Sequence, residues 1–171
     1  MCLDYKLSPR LRETWLKDKP KTITAYKVVR IENGKLWPLY YGSKPFKRKN
    51  RIRTVKSKNS ARRQIIYYGE LELGIPMTKY IAYYHLFVNI KEAQEYEGGE
   101  CFADKIIICK IPKELITEIG IQERKEVIVT RGFDIVGQDE YLSNKYIRKI
   151  RKIDWYKDWK KFLSMDLDNT E

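Results

Sequence analysis

The sequence predicts an α+β fold, with a mainly antiparallel sheet of about five to seven strands, a helix at the N-terminal end and a helix pair at the C-terminal end. Short apolar or alternating runs separated by turn residues fill the middle of the chain, which is typical of strands. Long apolar stripes at helical spacing occur only near the two ends. Because the 171 residues contain no repeat and no linker-like stretch, we expect a single domain spanning residues 1–171.

The N-terminal helix is predicted from a capping signal. Ser8 can accept a hydrogen bond from the first free N–H groups of a helix, and Pro9 fits the first helical turn. Leu11 and Trp15 then fall on one face of this helix, and Pro20 is expected to end it.

A hairpin is expected next, because strands at residues 22–31 and 36–41 are joined by Asn33-Gly34, a dipeptide that strongly favours a tight turn. Further strands are predicted at residues 64–73, 80–88, 104–111, 125–130 and 133–136. The first of these is expected to end at Gly74-Ile75-Pro76. The strand at residues 80–88 is apolar on both faces, which predicts a central position in the sheet.

Positive charge is concentrated in one segment. Ten lysines and arginines lie between Lys44 and Arg63, whereas no acidic residue occurs from Asn33 to Gly69. The formal net charge is +12, so this segment supplies most of it and the rest of the chain is nearly neutral. Residues 43–63 are therefore predicted to form a basic arm or edge ribbon. The predicted nucleic-acid-binding residues are Lys44, Lys47, Arg48, Lys49, Arg51, Arg53, Lys56, Lys58, Arg62 and Arg63.

Three interpretations of this basic arm stay open. Arginine and lysine side chains bind phosphates well, and flanking tyrosines such as Tyr40 and Tyr67 can stack on unpaired bases. The same charges also fit contact with an acidic protein, or a loop that is only solvated. Nucleic acid is the favoured partner, because ten uncompensated charges repel one another without a polyanion.

Residues 140–165 are predicted to form a second basic element, a helix pair with lysines and arginines opposite an apolar stripe. The stripe contains Trp155, Trp159 and Phe162, which are interpreted as core residues. The basic face of this segment is either the solvated side of a helix or a further site for nucleic acid.

The composition also excludes several classes of protein. No signal segment and no run of about 20 apolar residues occur, which predicts a cytoplasmic protein without a membrane partner. Cys2, Cys101 and Cys109 lack the close spacing of a disulfide or zinc framework, so we expect no metal site. Glycine-rich phosphate loops, nucleophile-elbow serines and HExxH are missing, which excludes the enzyme classes that those motifs define.

His85 is the only histidine, so any acid–base mechanism that uses an imidazole must use this residue. On its predicted strand it shares a face with apolar residues such as Ile81 and Phe87. His85 is therefore either a hydrogen-bonded core residue or, if it opens on a cleft that contains a carboxylate, a catalytic one.

Several short stretches occur together in an order that characterises a known group of proteins. They are Met1-Cys2-Leu3, residues 23–29, residues 36–40, His85 with Phe87 and Ala93, and residues 116–120. Together they resemble a family of small uncharacterised proteins from phages and mobile elements, and the resemblance covers most of the chain. It implies no activity, although a phage origin implies nucleic-acid handling or interference with a host defence system.

A second resemblance concerns the end of the predicted sheet. Glu126 precedes a strand, and an arginine-glycine turn at Arg131 leads into the next strand, an arrangement similar to the closing part of mono-ADP-ribosyltransferases. This likeness implies a related fold and an NAD-dependent enzyme in which Glu126, or Glu123, stabilises the ribosyl cation. It also implies that Arg30 grips the NAD phosphates and that His85 ends the strand where that family carries a serine-threonine-serine triplet, which this chain lacks.

The favoured hypothesis is a small basic module that binds the backbone of RNA or DNA, alone or within a host nucleoprotein complex, and that needs no cofactor. The first alternative is an ADP-ribosyltransferase-like enzyme that uses NAD, with Arg30, His85 and Glu126 as catalytic residues. The second alternative is an inhibitor, for example of a host defence system, that binds an acidic host protein.

Overall fold

The computed structural model describes residues 2–39, 44–53, 58–68, 71–96, 103 and 105–140. The strands are Tyr5–Leu7 (β1), Thr22–Glu32 (β2), Lys35–Pro38 (β3), Lys49–Arg51 (β4), Lys58–Tyr68 (β5), Leu71–Ile81 (β6), Tyr84–Phe87 (β7), Lys105–Pro112 (β8), Ile116–Gln122 (β9), Lys125–Thr130 (β10) and Gly132–Glu140 (β11). The helices within these ranges are Pro9–Lys17 (α1) and Ile90–Gln94 (α2), with a 3-10 turn at Lys113–Leu115.

All of these strands belong to one sheet. Its order is β4-β11-β8-β2-β7-β10-β9-β1-β5-β6, and β3 pairs with β2 beside this path. Neighbouring strands are antiparallel except β1 and β5, which run parallel. The predicted antiparallel sheet is therefore confirmed, and with only two helices in the described ranges the class is α+β or mostly β.

The eleven strands exceed the five to seven that were predicted. Two of the extra strands, β1 and β4, have three residues each, which is too short for any alternation of apolar and polar residues to be recognised. The predicted C-terminal helix pair, residues 140–165, lies outside the described residues, apart from Glu140, which ends β11.

The local signals at the N-terminal end are confirmed. The Ser8 hydroxyl accepts a hydrogen bond from the Leu11 N–H, and the helix that begins at Pro9 ends before Pro20. Asn33 and Gly34 have φ values of 52° and 71°, which is the left-handed backbone that a tight hairpin turn requires.

The boundaries around β6 differ from the prediction. β5 ends at Tyr68 and β6 begins at Leu71, and β6 continues through Pro76, which lies opposite Arg63 of β5. Proline has no N–H to donate to a neighbouring strand. Pro76 is accommodated because β6 is the last strand in the sheet order, where an N–H on the outer edge has no partner strand. The chain then leaves β6 after Ile81 and starts a separate strand, β7, which pairs with β10 and β2.

Both faces of the sheet are covered by packed side chains. On the face that α1 covers, here called the α1 face, the buried residues include Leu11, Trp15, Ile107, Cys109, Ile119, Ile128 and Phe133. On the opposite face, here called the α2 face, they include Leu3, Val28, Tyr80, Phe87, Ala93, Val127 and Val129. Alternate residues of β10 contribute to the two faces, which is the period of a strand buried on both sides.

No helix in the described ranges is both long enough and apolar enough to cross a membrane.

Candidate polyanion-binding surface

The basic segment is divided between two parts of the sheet. Residues 44–53 include β4, which pairs with β11 and is the first strand in the sheet order. Lys58 begins β5, which pairs with β1 and β6 at the other end of the order. We call residues 44–53 the basic edge. Arg62 and Arg63 belong to β5, and only their backbone is described. Lys56 lies outside the described residues.

Backbone hydrogen bonds attach the basic edge to the sheet. The Ile135 N–H donates to the Arg48 carbonyl at 2.8 Å, and the Ile52 N–H donates to the Arg131 carbonyl at 2.8 Å. The Phe46 N–H donates to the carbonyl of Leu36 in the β2–β3 hairpin at 2.7 Å. The basic edge is therefore a fixed part of the fold in these residues, and its side chains project from an ordered backbone.

Two side chains of the basic edge pack against neighbouring residues and hold the edge in place. Asn50 is buried, and its side-chain amide donates to the Lys47 carbonyl at 2.6 Å and accepts from the Lys47 N–H at 3.0 Å. The Phe46 ring meets Phe133 and Tyr84 edge-on, with centroid distances of 5.6 and 6.1 Å. These contacts fix the bend that precedes β4.

The cations of the basic edge point to solvent. The exposed ones are Lys44, Lys47, Arg48, Lys49 and Arg53. Within the part of the chain that the structure describes, no carboxylate forms an ion pair with any of the five. Arg51 differs, because its guanidinium pairs with Asp134 of β11 at 3.0 Å. Ten residues thus carry five uncompensated positive charges, an arrangement that attracts polyanions.

An open groove lies beside the basic edge. Its volume is about 510 Å³, and one wall is formed by the end of the β2–β3 hairpin, with Ile31, Lys35 and Leu36. Phe46 and Lys47 of the basic edge and Gln138 of β11 also line the groove. The walls are thus apolar in part and carry two lysines, and the groove shares a side with the exposed cations.

His85 occupies the interior and not this groove. It is 5% exposed, its Nδ1 contacts the Tyr83 carbonyl at 3.0 Å, and its Nε2 contacts the Tyr80 hydroxyl at 3.0 Å. Because a carbonyl only accepts, Nδ1 carries the proton and Nε2 accepts from Tyr80. Burial, with the nearby charge of Lys27, lowers the pKa of His85 to about 3, so its imidazole is neutral near pH 7.

The Tyr80 hydroxyl extends this network to the N-terminal segment. It accepts a hydrogen bond from the Leu3 N–H at 2.8 Å and lies 3.4 Å from the side-chain amide of Asn59 in β5. His85 and Tyr80 therefore connect three separate parts of the fold, the role expected of a hydrogen-bonded core histidine.

Arg30 lies within the β2–β3 hairpin. Its Nε donates to the Pro38 carbonyl at 3.1 Å, its Nη1 pairs with Glu32, and its guanidinium stacks 5.5 Å from the centre of the Trp37 ring. These contacts brace the two strands of the hairpin against each other.

Glu126 lies on the other face of the sheet from His85. Its carboxylate accepts a hydrogen bond from the Trp15 indole at 2.6 Å, on the α1 face, whereas His85 lies opposite Val129, on the α2 face. The three residues predicted as catalytic thus have separate surroundings, because Arg30 is engaged within its hairpin. The geometry gives the transferase hypothesis no common site.

No family model, no curated protein and no solved structure matches this chain. The functional interpretation therefore depends on the chemistry of the surface.

Two charged residues, Lys27 and Glu92, are buried although the sequence did not predict it. Lys27 donates to the His85 carbonyl at 2.9 Å and lies 5.9 Å from the centre of the Phe46 ring, and burial lowers its pKa to about 8. Glu92 of α2 accepts from the Glu126 N–H at 3.1 Å, and burial raises its pKa to about 7. Lys27 interrupts an otherwise apolar face of β2, a signal that the sequence contains. The short helix α2 that Asn89 caps was predictable, but its five residues are too few to indicate that Glu92 is buried.

The described residues contain no group of three or more histidine, cysteine, aspartate or glutamate side chains that could hold a metal ion.

Proposed function

We propose that this protein binds the phosphate backbone of nucleic acid through the basic edge, residues 44–53. The observation that supports the proposal is a set of five exposed cations that form no ion pair with any carboxylate in the described ranges. They are presented on a backbone that is hydrogen-bonded to β11 and to the hairpin. Like charges held this close repel one another, and a row of phosphates offsets that repulsion.

The chemistry of the basic edge favours contact with the backbone over the reading of bases. Arginine forks and lysine ammonium groups are suited to phosphate oxygens, and contacts of this kind carry no sequence information directly. Because the backbone of the edge is already ordered, little conformational freedom of the main chain is lost on binding. We therefore expect affinity without strong sequence preference.

Salt dependence tests the proposal quantitatively. If each of the five cations neutralises one phosphate, log K should fall with log salt concentration with a slope of about −4. The measurement is the fluorescence anisotropy of a labelled oligonucleotide of mixed sequence, titrated with the protein at several salt concentrations. An affinity that is insensitive to salt would contradict binding through phosphates.

A charge-matched pair of variants locates the site. In the edge variant, glutamine replaces Lys44, Lys47, Arg48, Lys49 and Arg53. In the control variant, glutamine replaces an equal number of exposed lysines and arginines outside the basic edge, namely Arg10, Lys17, Lys21, Lys91 and Arg124. We expect the edge variant to lose at least about 100-fold in affinity at about 50 mM salt, and the control variant to lose much less.

The two variants also separate this proposal from its alternatives. Equal losses in both would show that net charge, and not the basic edge, produces the binding. No binding of the unaltered protein to RNA or DNA at low salt would overturn the proposal and favour an acidic protein as the partner.

A further inference from the structure

We infer that the groove beside the basic edge holds an unpaired nucleobase, so that the partner is single-stranded nucleic acid and not a duplex. The inference rests on the proposed function, because it takes the basic edge as the site for the phosphates. It adds a second contact, to the base, that phosphate binding alone does not require.

The composition of the groove fits a nucleobase. Phe46 offers an aromatic ring and Leu36 and Ile31 offer apolar surface, while the amide of Gln138 and the amine of Lys35 can contact polar edges. A nucleobase combines flat π faces with polar edges, and unpaired bases are bound in proteins by stacking and edge hydrogen bonds.

The ring of Phe46 is held by its surroundings. Phe133 and Tyr84 contact it edge-on, and the backbone N–H of the same residue donates to the Leu36 carbonyl. A stacking surface that is already fixed loses little freedom when a base binds, which favours affinity.

The position of the groove connects base and phosphate. Lys47 lines the groove and is also one of the five exposed cations of the basic edge, and Phe46 precedes it directly in the chain. A nucleotide with its base in the groove therefore has its phosphate next to the edge. The volume of about 510 Å³ falls within the usual range for small-ligand pockets.

A duplex fits this arrangement poorly. A base in a duplex must leave its stack and its partner before it can enter a groove, and that step has a free-energy cost that a single strand has largely avoided. The basic edge alone would bind both forms through their phosphates, so any preference for the single strand comes from the groove.

Three probes of equal length test the inference at one salt concentration, two with the same number of phosphates and one with about twice as many. They are a single-stranded oligonucleotide, the same strand with every base removed as an abasic analogue, and the fully paired duplex labelled on the same strand. We expect the single strand to bind about tenfold more tightly than the abasic strand. We also expect it to bind more tightly than the duplex.

Variants of the groove walls provide the matched comparison. Ile31→Asn alters a groove residue that is exposed and lies outside the basic edge, so it should lower affinity for the single strand about tenfold and leave the abasic strand unchanged. Phe46→Leu removes the ring and also part of the packing that holds the basic edge, so it should lower affinity for the single strand by a larger factor than for the abasic strand. Val136→Asn is the control, because Val136 is an exposed apolar residue of β11 that does not line the groove.

The outcomes are distinct for the two proposals. Equal affinity for the single strand and the abasic strand would overturn the base-binding groove and leave the basic edge as the phosphate site. Tighter binding of the duplex would overturn the groove as well. Failure of all three probes to bind would instead overturn the proposed function. If Phe46→Leu does not fold, as judged by circular dichroism, the exposed Ile31→Asn exchange decides the question.

Discussion

At the scale of single residues, the interior of the sheet contains polar groups whose charge is controlled by burial. His85 has both ring nitrogens engaged, by Tyr80 and by the Tyr83 carbonyl, and Lys27 donates to the His85 carbonyl. Burial lowers the pKa of both His85 and Lys27. Their hydrogen bonds support the packing of β7 against its neighbours.

The lowered pKa of His85 predicts a loss of stability in acid. Its pKa is about 3 in the fold and about 6.5 in an unfolded chain, so between these pH values the unfolded state binds more protons. The contribution of His85 to the free energy of unfolding is fully present above about pH 6.5. It decreases as the pH falls toward 3, by up to about 1.4 kcal/mol per pH unit.

Urea unfolding at several pH values measures this dependence. Gln replaces the imidazole by a group that does not titrate, so the free energy of unfolding of His85→Gln should fall less steeply between about pH 6 and 4 than that of the unaltered protein. The carboxylates common to both proteins contribute equally and cancel in the difference. Identical slopes would show that His85 is accessible to protons in the fold.

Part of this residue-level chemistry could be predicted from the sequence. A hydrogen-bonded core role for His85 was one of two readings that its apolar neighbours allowed, but the sequence could not choose between them. That choice required knowing that Tyr80, five residues earlier, lies within hydrogen-bonding distance, which follows from the break between β6 and β7. Tertiary contacts of this kind leave no pattern in the sequence.

At the scale of elements, the attachment of the basic edge depends on a close approach between β4 and β11. A Cβ atom added at Gly132 would come within 2.5 Å of both the Asn50 carbonyl oxygen and the Arg51 side chain. Gly132 therefore allows the backbone of β4 to lie against β11 at the point where the two strands pair.

Gly132→Ala should loosen the basic edge. The added methyl group clashes with the backbone of β4, so we expect faster hydrogen exchange of the Ile52 and Ile135 amides and an affinity for nucleic acid about three- to tenfold lower. Gly137→Ala is the control in the same strand, since its added methyl group would meet only the flexible end of Ile108 at 3.3 Å. Equal exchange rates in both variants would contradict the role of Gly132.

Elements defined by neighbouring residues were predictable, whereas those defined by distant pairing were not. Asn33-Gly34 specifies the β2–β3 hairpin within two residues, and Ser8-Pro9 specifies the start of α1 in the same local way. The boundary at Gly74-Ile75-Pro76 was misplaced because proline is compatible with an outer strand, and a position in the sheet order cannot be read locally. The three-residue strand β4 exists because β11 lies beside it.

At the scale of the whole molecule, the sheet order decides how the charge is distributed. The sequence predicted one basic arm from a count of lysines and arginines. The structure places β4 of the basic edge beside β11 and Lys58 on β5, toward the other end of the order, so the exposed cluster is smaller than the basic segment. Five charges that pair with no carboxylate among the described residues then lie on one edge of a chain with a formal net charge of +12.

This concentration of charge should lower the stability of the free protein. The edge variant, with glutamine at Lys44, Lys47, Arg48, Lys49 and Arg53, removes mutual repulsion, so we expect its free energy of unfolding at low salt to exceed that of the unaltered protein by on the order of 1 kcal/mol. The difference should vanish near 1 M salt, where the screening length is about 3 Å.

The charge-matched control decides whether the repulsion is local. Glutamine at Arg10, Lys17, Lys21, Lys91 and Arg124 removes the same net charge from other parts of the surface, and we expect a smaller gain in stability from urea unfolding at low salt. Equal gains would mean that the net charge matters and the clustering does not. A gain confined to the edge variant, together with its loss of affinity, would show that this edge gives up stability in the free protein for attraction to a polyanion.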